Sequence, residues 1–509
     1  MNLVDELLAE QQNMKAAAGT FADWHDSHDT PALEKYYRNL IPLTKPGSGE
    51  QYAFQVDLDV CSSCKACVSA CHNLNGLDDH ETWRDVGLLY GIGTDEPAVQ
   101  TVTTACHHCA DPGCLNGCPV MAYDKDPETG IVRHLDDQCI GCQYCILKCP
   151  YDVPKYSKKK GIVRKCDMCH SRLSAGEAPA CVQACPNEAI QIVKVTREEI
   201  EARAKETRRL VAGAFDSSYT LPSTRYLSNR VDGEKLRPAD AYKIHLEHTH
   251  WPLVIMLTLT QAAVGMTVVE SFHRSFGLGN SWEWLTALAV FHLGLIASIL
   301  HLGQPLKAWR VFLGLRTSWL SREVIGFGML PPILLTVSAL DWLPMLERFR
   351  VFGAGIAAAG AFMGLLCVFC SVMVYADTRR PFWNLPRTAG KFFGSTLVAG
   401  LAGSQIFQPS TMAYAILCIA LVVKIAGELA FLRHARAGEW SPDKKSALAI
   451  LGPLRGVLIG RLALAVTGAA LCGNVSLTAV GAMCILFGEL AERYLFFRAV
   501  TAPKMPGGI

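Results

Sequence analysis

Sixteen of the chain's 21 cysteines fall between Cys61 and Cys185, in four groups of four, and three of those groups end in Cys-Pro. The groups are Cys61, Cys64, Cys67 and Cys71; Cys106, Cys109, Cys114 and Cys118; Cys139, Cys142, Cys145 and Cys149; and Cys166, Cys169, Cys181 and Cys185. The first and third are C-x2-C-x2-C-x3-C runs, the spacing with which a chain holds iron–sulfur clusters. Sixteen thiolates suffice for four [4Fe-4S] clusters. In a two-cluster ferredoxin the fourth cysteine of each run ligates the cluster of the other run. Only 20 residues separate Cys118 from Cys139, so groups two and three make one compact unit and groups one and four pair around it.

Zinc sites need four ligands, usually from two separated C-x2-C knuckles, which leaves a third and fourth cysteine at x2 and x3 without a role. A disulfide framework belongs to short secreted chains, and this chain has 509 residues. Its first 240 residues are polar and Cys-rich, and the rest is a series of apolar stretches between short basic loops, a division that the net charge of +2 conceals. Stretches of about 17 to 25 apolar residues read as bilayer spans. Eight occur, near 251–271, 284–302, 324–340, 352–376, 392–408, 412–432, 447–472 and 476–497. The fifth carries Gly394, Gly400 and Gly403 and has the weakest signal.

With eight spans, the loops on the side of the cysteine half hold Lys307, Arg310, Arg316, Arg322, Arg379, Arg380, Arg387, Lys391, Arg433, Arg436, Lys444 and Lys445, against Arg274, Arg348 and Arg350 opposite. The positive-inside rule then places the cluster domain and the C-terminus in the cytoplasm, on an inner (cytoplasmic) membrane. The start, with Asp5, Glu6 and Glu10, has neither a basic n-region nor an apolar h-region, so no export address is expected.

The fold class expected is an α+β, ferredoxin-like double two-cluster domain followed by an all-α eight-helix transmembrane bundle. Its parts are an N-terminal arm over 1–51, with a short helix from Val4 to Ala18; the four-cluster domain over 52–195; a helix and linker over 196–249; the membrane anchor over 250–500; and a tail over 501–509. The arm reads equally as a docking surface for another subunit and as a strap over the cluster domain. Thr196 and Glu199 have capping-box spacing for the helix that comes next. The basic run Lys155, Lys158, Lys159, Lys160, Arg164 and Lys165 reads first as compensation of cluster charge and second as a partner-docking patch. Nucleic acid is not expected as a partner.

The four-group ladder, with Asn75-Gly76-Leu77 and Glu81-Thr82-Trp83-Arg84-Asp85 after the first group, resembles the iron–sulfur subunit of dimethyl sulfoxide reductase-type molybdoenzymes. In the membrane half His250-Trp251-Pro252-Leu253, Ile299-Leu300-His301-Leu302-Gly303, Leu320-Ser321-Arg322-Glu323 and Gly488-Glu489-Leu490 resemble that family's anchor subunit. The chain looks like the two subunits fused. The resemblance implies that Cys61, Cys64 and Cys67 share a cluster with Cys185, and Cys166, Cys169 and Cys181 share one with Cys71. It also implies a haem-free anchor that oxidises menaquinol or ubiquinol from the quinone pool, set in membrane lipid, and a separate catalytic subunit bearing molybdopterin. In relatives with a [3Fe-4S] cluster a tryptophan replaces one cysteine of group three; Cys142 stands there, so four [4Fe-4S] clusters are expected. The arm and the cytoplasmic loop charges depart from the best-known complexes, which face the periplasm.

Quinol oxidation needs a hydrogen-bonding base and a carboxylate or water path for protons, and ionisable groups at membrane depth are functional candidates. His301, ending the second span, and Glu323, beginning the third, are the expected pair. Glu428, Arg461 and Glu489 also lie in spans, where ion pairing between helices is the simpler role. His292 and His301 stand nine residues apart on one helix, on opposite faces at about 100° per residue, which argues against a shared haem. The function expected is a quinol-oxidising electron relay to a molybdopterin oxidoreductase. The alternatives are reverse flow from a dehydrogenase into quinone and a redox-driven ion-translocating module built on Lys424, Glu428, Arg455 and Arg461.

Overall fold

The cysteine half has only short apolar stretches between its loops, and these pair as small sheets and hairpins. The computed structural model describes Leu3, Val4, Glu6 and residues 34–91, 98–230 and 235–507. In chain order this half holds β1 (Glu50–Asp57), α1 (Ala66–Asn75), β2 (Asp85–Gly91), β3 (Val99–Thr104), α2 (Gly113–Gly117), β4 (Tyr123–Lys125), β5 (Val132–His134), α3 (Tyr144–Lys148), β6 (Lys155–Ser157), β7 (Ile162–Arg164), α4 (His170–Ser174), α5 (Ala180–Gln183), β8 (Ile190–Thr196), α6 (Arg197–Glu206), β9 (Arg225–Leu227) and β10 (Leu236–Pro238). The sheets run β8-β1-β9 and β10-β2-β3, and β4-β5 and β6-β7 are hairpins. β1 lies antiparallel to β8, from Glu50 opposite Thr196 to Val56 opposite Ile190. That pairing joins the two ends of the cysteine ladder.

The capping box at Thr196 and Glu199 forms as its spacing requires and starts α6. The segment beyond α6 is more than a linker. β9 runs parallel to β1 and β10 pairs with β2, so much of the 196–249 segment belongs to the sheets of the cluster domain. Pro222 and Pro238 punctuate these strands without dissolving them. The helix expected over Val4–Ala18 falls almost wholly outside the described residues. Of the arm that is described, Tyr37 and Leu40 are buried in the core with Phe54 and Val56, while Tyr36 and Leu43 are exposed.

The membrane half holds α7 (Trp251–Ser275), α8 (Ser281–Ile299), α9 (Trp319–Trp342), α10 (Gly353–Ala376), α11 (Leu385–Phe407), α12 (Thr411–Phe431), α13 (Pro442–Leu451), α14 (Arg455–Cys472) and α15 (Thr478–Arg498). Seven helical stretches among the described residues are long and apolar enough to cross a membrane. The remaining long helix, α11, matches the weak fifth stretch. Its glycines have a packing reason: a Cβ on Gly400 would stand 2.5 Å from the Gly265 Cα, and one on Gly265 would stand 2.0 Å from the Thr396 carbonyl oxygen. α7 and α11 therefore touch backbone to backbone, as small residues allow in membranes. The seventh stretch expected, 447–472, is two helices. Pro453 has no N–H to continue the ladder, so α13 ends at Leu451 and the spanning helix α14 starts at Arg455. Asn280, Asn384 and Ser410 cap α8, α11 and α12 through their side chains.

The two halves are tied by direct bonds. Gln304 N–H donates to the Ile140 carbonyl at 3.0 Å and Gly314 N–H to that of Pro119 at 2.9 Å. The Ser318 hydroxyl donates to Gly117 at 2.7 Å, Arg310 to Asp137 at 2.7 Å, and Tyr144 to the Val374 carbonyl at 2.9 Å. Lys148 pairs with Asp377 at 2.6 Å. The tail also returns to the cysteine half: Met505 is 3% exposed within its core, and Lys504 pairs with Asp240 at 2.6 Å.

Overpacking a closed contact costs about 1 to 3 kcal/mol. Gly265→Val should therefore lower the thermal midpoint of the detergent-solubilised protein clearly. Gly328→Val, at a position with nothing within 4 Å of its added Cβ, should leave it in place. Equal midpoints for the two variants would refute the backbone contact.

Candidate functional site

The loops that carry the cysteines turn through left-handed backbone at residues that are not glycine. Ser63, Lys65, His108, Gln143, Met168 and Cys169 have φ between 39° and 62°, a conformation costly for side-chain-bearing residues and kept where the surroundings demand it. The turns aim backbone N–H groups at sulfur. Gly141 N–H points to Cys139 at 3.4 Å and Met168 N–H to Cys166 at 3.4 Å, while Ala122 N–H points to Cys118 at 3.2 Å and Ala189 N–H to Cys185 at 3.3 Å. In the last two the donor is the fourth residue after the cysteine of a Cys-Pro pair, so the motif has a geometric purpose.

Four quartets result. Cys61, Cys64, Cys67 and Cys185 line one cavity, and Cys106, Cys109, Cys114 and Cys149 line another. Cys71 stands with Cys166, Cys169 and Cys181, and Cys118 with Cys139, Cys142 and Cys145. Among the described residues no three His, Cys, Asp or Glu side chains are close enough to share a single ion. A zinc centre would gather its sulfurs within about 2.3 Å of one metal, whereas a cluster holds them apart by its own width. Burial pushes the thiol of Cys71 up to about 12 and those of Cys118, Cys149 and Cys169 up to about 11. The sulfurs become ligands only when a metal displaces their protons.

The quartets lie in a row. Cys67 of the first faces Cys181 of the second, and Cys166 of the second faces Cys106 of the third. Tyr123 faces both Cys114 of the third and Cys145 and Cys118 of the fourth. At one end Cys64 is exposed. At the other, Cys142 and Tyr144 pack on the hydrophobic core of the membrane half.

His301 is on this junction but not at a helix end, because α8 stops at Ile299 and His301 lies in the turn beyond. Its imidazole faces the backbone of Cys142, and desolvation pushes it down to about 4. Its ring is 5.3 Å from that of His250, whose ring is 4.8 Å from that of the exposed His248. Desolvation pushes His250 down to about 3, so both half-buried imidazoles are neutral at neutral pH. Glu323, 3% exposed on α9, accepts a hydrogen bond from the Ser371 hydroxyl. The structure does not bring Glu323 to His301; it faces Tyr144, Tyr375, Cys367 and Cys370 instead. With His301 outside α8, the two histidines no longer share a helix, and the placement of His292 and His301 on opposite faces of one helix ceases to bear on haem. His292 Nδ1 contacts the Leu288 carbonyl at 2.8 Å.

The ionisable groups between α11, α12, α14 and α15 close on one another. Arg461 donates to Glu489 at 3.0 Å and to Glu428 at 3.3 Å, Lys424 pairs with Glu489, and Lys391 pairs with Glu492. The network joins α11, α12, α14 and α15, while Arg455 is exposed at the start of α14. The basic run divides likewise. Lys158, Lys159 and Lys160 are exposed, Arg164 is buried against Glu81, and Lys165 is buried facing Cys106, Cys114 and Cys166.

Residues 98–195 match the 4Fe-4S dicluster domain, and residues 245–498 match the DMSO reductase anchor subunit (DmsC). The chain is 36% identical over 155 residues to the B chain of the anaerobic dimethyl sulfoxide reductase of Haemophilus influenzae, covering 29% of this chain and 75% of that one. It is 36% identical over 148 residues to the corresponding B chain of Escherichia coli K12, covering 28% and 72%. With the hydrogenase-2 operon protein HybA of Escherichia coli O157:H7 it shares 36% identity over 192 residues, 33% of this chain and 57% of that protein's length. The chain belongs to the dimethyl sulfoxide reductase-type family, with iron–sulfur and membrane-anchor parts in one polypeptide. It is a multi-pass membrane protein whose 4Fe-4S domain transfers electrons.

Residues of one quartet should fail together and residues of two quartets separately. Cys61→Ala combined with Cys185→Ala should cost no more iron than either alone, whereas Cys61→Ala with Cys166→Ala should cost about twice as much. Additive loss for the first pair would break the assignment of Cys185.

Proposed function

We propose that this chain oxidises quinol at the cluster-side face of its membrane half and relays the electrons through four [4Fe-4S] clusters to a molybdopterin-bearing catalytic subunit. The observation that carries it is His301: a half-buried imidazole in the turn after α8 faces the backbone of Cys142, a cysteine of the quartet seated on the bundle. When bound, the clusters supply one-electron carriers. The chain's own residues do the rest. The neutral His301 imidazole accepts a quinol proton, the His250 and His248 rings lead from it toward solvent, and Glu323 with Ser371 forms a second proton-accepting group by Tyr144. The ligand sets are Cys61, Cys64, Cys67 and Cys185; Cys71, Cys166, Cys169 and Cys181; Cys106, Cys109, Cys114 and Cys149; and Cys118, Cys139, Cys142 and Cys145. Exposed Cys64 marks the surface where the catalytic partner receives electrons.

We infer that eight helices cross the membrane, α11 being the eighth. An odd number would leave the tail on the face opposite the cluster domain, yet Met505 packs into that domain's core. The basic loops support placing this face in the cytoplasm. A reporter fused after Ile509 should be active as a cytoplasmic fusion; an active C-terminal alkaline phosphatase would reverse the orientation.

General-base contributions are worth about 10² to 10⁴ in rate. His301→Arg and Glu323→Gln should each cut electron transfer from a quinol analogue by at least tenfold while dithionite still reduces all clusters and iron stays at about 16 per chain. Quinol oxidation within about threefold of wild type in both variants would place the site elsewhere.

A further inference from the structure

Each gap in the row of quartets is filled by a different kind of side chain. Arg84, between the first and second quartets, is 1% exposed and faces Cys67, Cys71, Cys166 and Cys181. Its Nη1 donates to Thr103 at 3.2 Å, and its guanidinium lies 4.7 Å from the Phe54 ring centroid. Nε and Nη2 are buried with no partner. Two unused donors on a buried cation, turned to the sulfurs of two quartets, fit an anionic group on either side.

Lys165, between the second and third quartets, is 2% exposed and faces Cys166, Cys106 and Cys114. Its ammonium donates to the carbonyls of Val132 and Cys166. Nearby cations are neutralised: Arg164 by Glu81 and Lys148 by Asp377. Arg84 and Lys165 form no such ion pair among the described residues. The last gap, between the third and fourth quartets, holds Tyr123, a neutral phenol facing Cys145.

We propose that Arg84 and Lys165 are shared electrostatic partners of neighbouring sites: Arg84 raises the reduction potentials of the first and second, and Lys165 those of the second and third. The second site, Cys71, Cys166, Cys169 and Cys181, lies under both cations, and the membrane-side site, Cys118, Cys139, Cys142 and Cys145, under neither. Each reduction adds one electron and one negative charge to a quartet, with no bond made or broken, so an adjacent fixed cation favours the reduced form. The inference rests on four-cluster occupancy but not on quinol as donor or on the direction of flow.

The test is an EPR-monitored redox titration of membranes containing the full chain, with iron measured alongside. Arg84→Gln should lower two midpoints, each by about tenfold in the reduction equilibrium, about 59 mV for one electron. Lys165→Gln should lower two as well. One midpoint should fall in both variants and one in neither. Arg84→Lys, which keeps the charge, should restore the wild-type values, as a purely structural role for the guanidinium would not. Full iron with unmoved midpoints, or with all four shifted alike, would overturn the proposal. If a glutamine variant loses iron, the other decides by the same criterion. If both lose iron, Arg84→Lys and Lys165→Arg decide, since iron lost from these charge-keeping variants too would also overturn it. Wild-type iron well below about 16 per chain would instead defeat the four-cluster reading itself.

Discussion

Burying thiolates is the constraint on which the N-terminal half is built. A thiolate taken out of water needs hydrogen bonds and opposite charge around it, and four quartets in one small domain multiply that requirement. Left-handed turns in the cysteine loops are one response, because they point backbone N–H groups at sulfur where a helix or strand would spend them on carbonyls. The sheets are correspondingly small. β1 and β8 hold the two ends of the ladder together, and most of the remaining order comes from what the loops wrap around.

The membrane half solves a different problem, which is where to stop. On the proposed reading, electrons taken from a site at the cluster-side surface need not cross the bilayer, because the last quartet is seated on the bundle. Close approach makes this possible. A Cβ on Gly303 would stand 2.0 Å from the Gly161 carbonyl oxygen and 2.7 Å from the Tyr156 hydroxyl. The turn after α8 therefore lies directly on the β6-β7 hairpin, and His301 two residues earlier is delivered to Cys142. Any bulkier residue at that contact would lift the histidine away from the quartet.

Much of this arrangement was legible in the sequence. The spacing made each local group of cysteines legible because the turns between them are short. The capping box at Thr196 was legible for the same reason. The placing of Cys185 beside Cys61, Cys64 and Cys67, far away in the chain, was legible only through the family resemblance. What else long-range packing decides was not. His301 and Glu323 are close in the chain, yet a ten-residue 3-10 stretch, Pro305–Gly314, intervenes and the two side chains face different neighbours. His250 precedes the first span by one residue and gave no sign that it would meet His301. Arg84 stood in a recognisable motif, but its position between sulfurs from groups one and four, far apart in the chain, is set by long-range packing. The weak fifth hydrophobic stretch carries Gly400 and Gly403, which lie against Gly265 and Met266 of α7, and hydropathy does not register contact.

Fusion of the two parts adds a constraint that separate subunits would lack. The chain leaves the cluster domain through β10 and the segment to His250, passes through the bundle, and returns at Met505 to the same core. The cluster domain is therefore held at both ends of the membrane half as well as across the junction. A domain fastened at three places has little freedom to tilt, and tilting would lengthen the step between the membrane surface and the nearest quartet. Lys504 and Asp240 bridge the returning tail to the departing segment at 2.6 Å, so the entry to the bundle and the exit from it are fixed to each other. The returning tail and the junction together hold the turn that carries His301 against the loop of Cys142, the contact on which the proposed transfer at the bilayer surface depends.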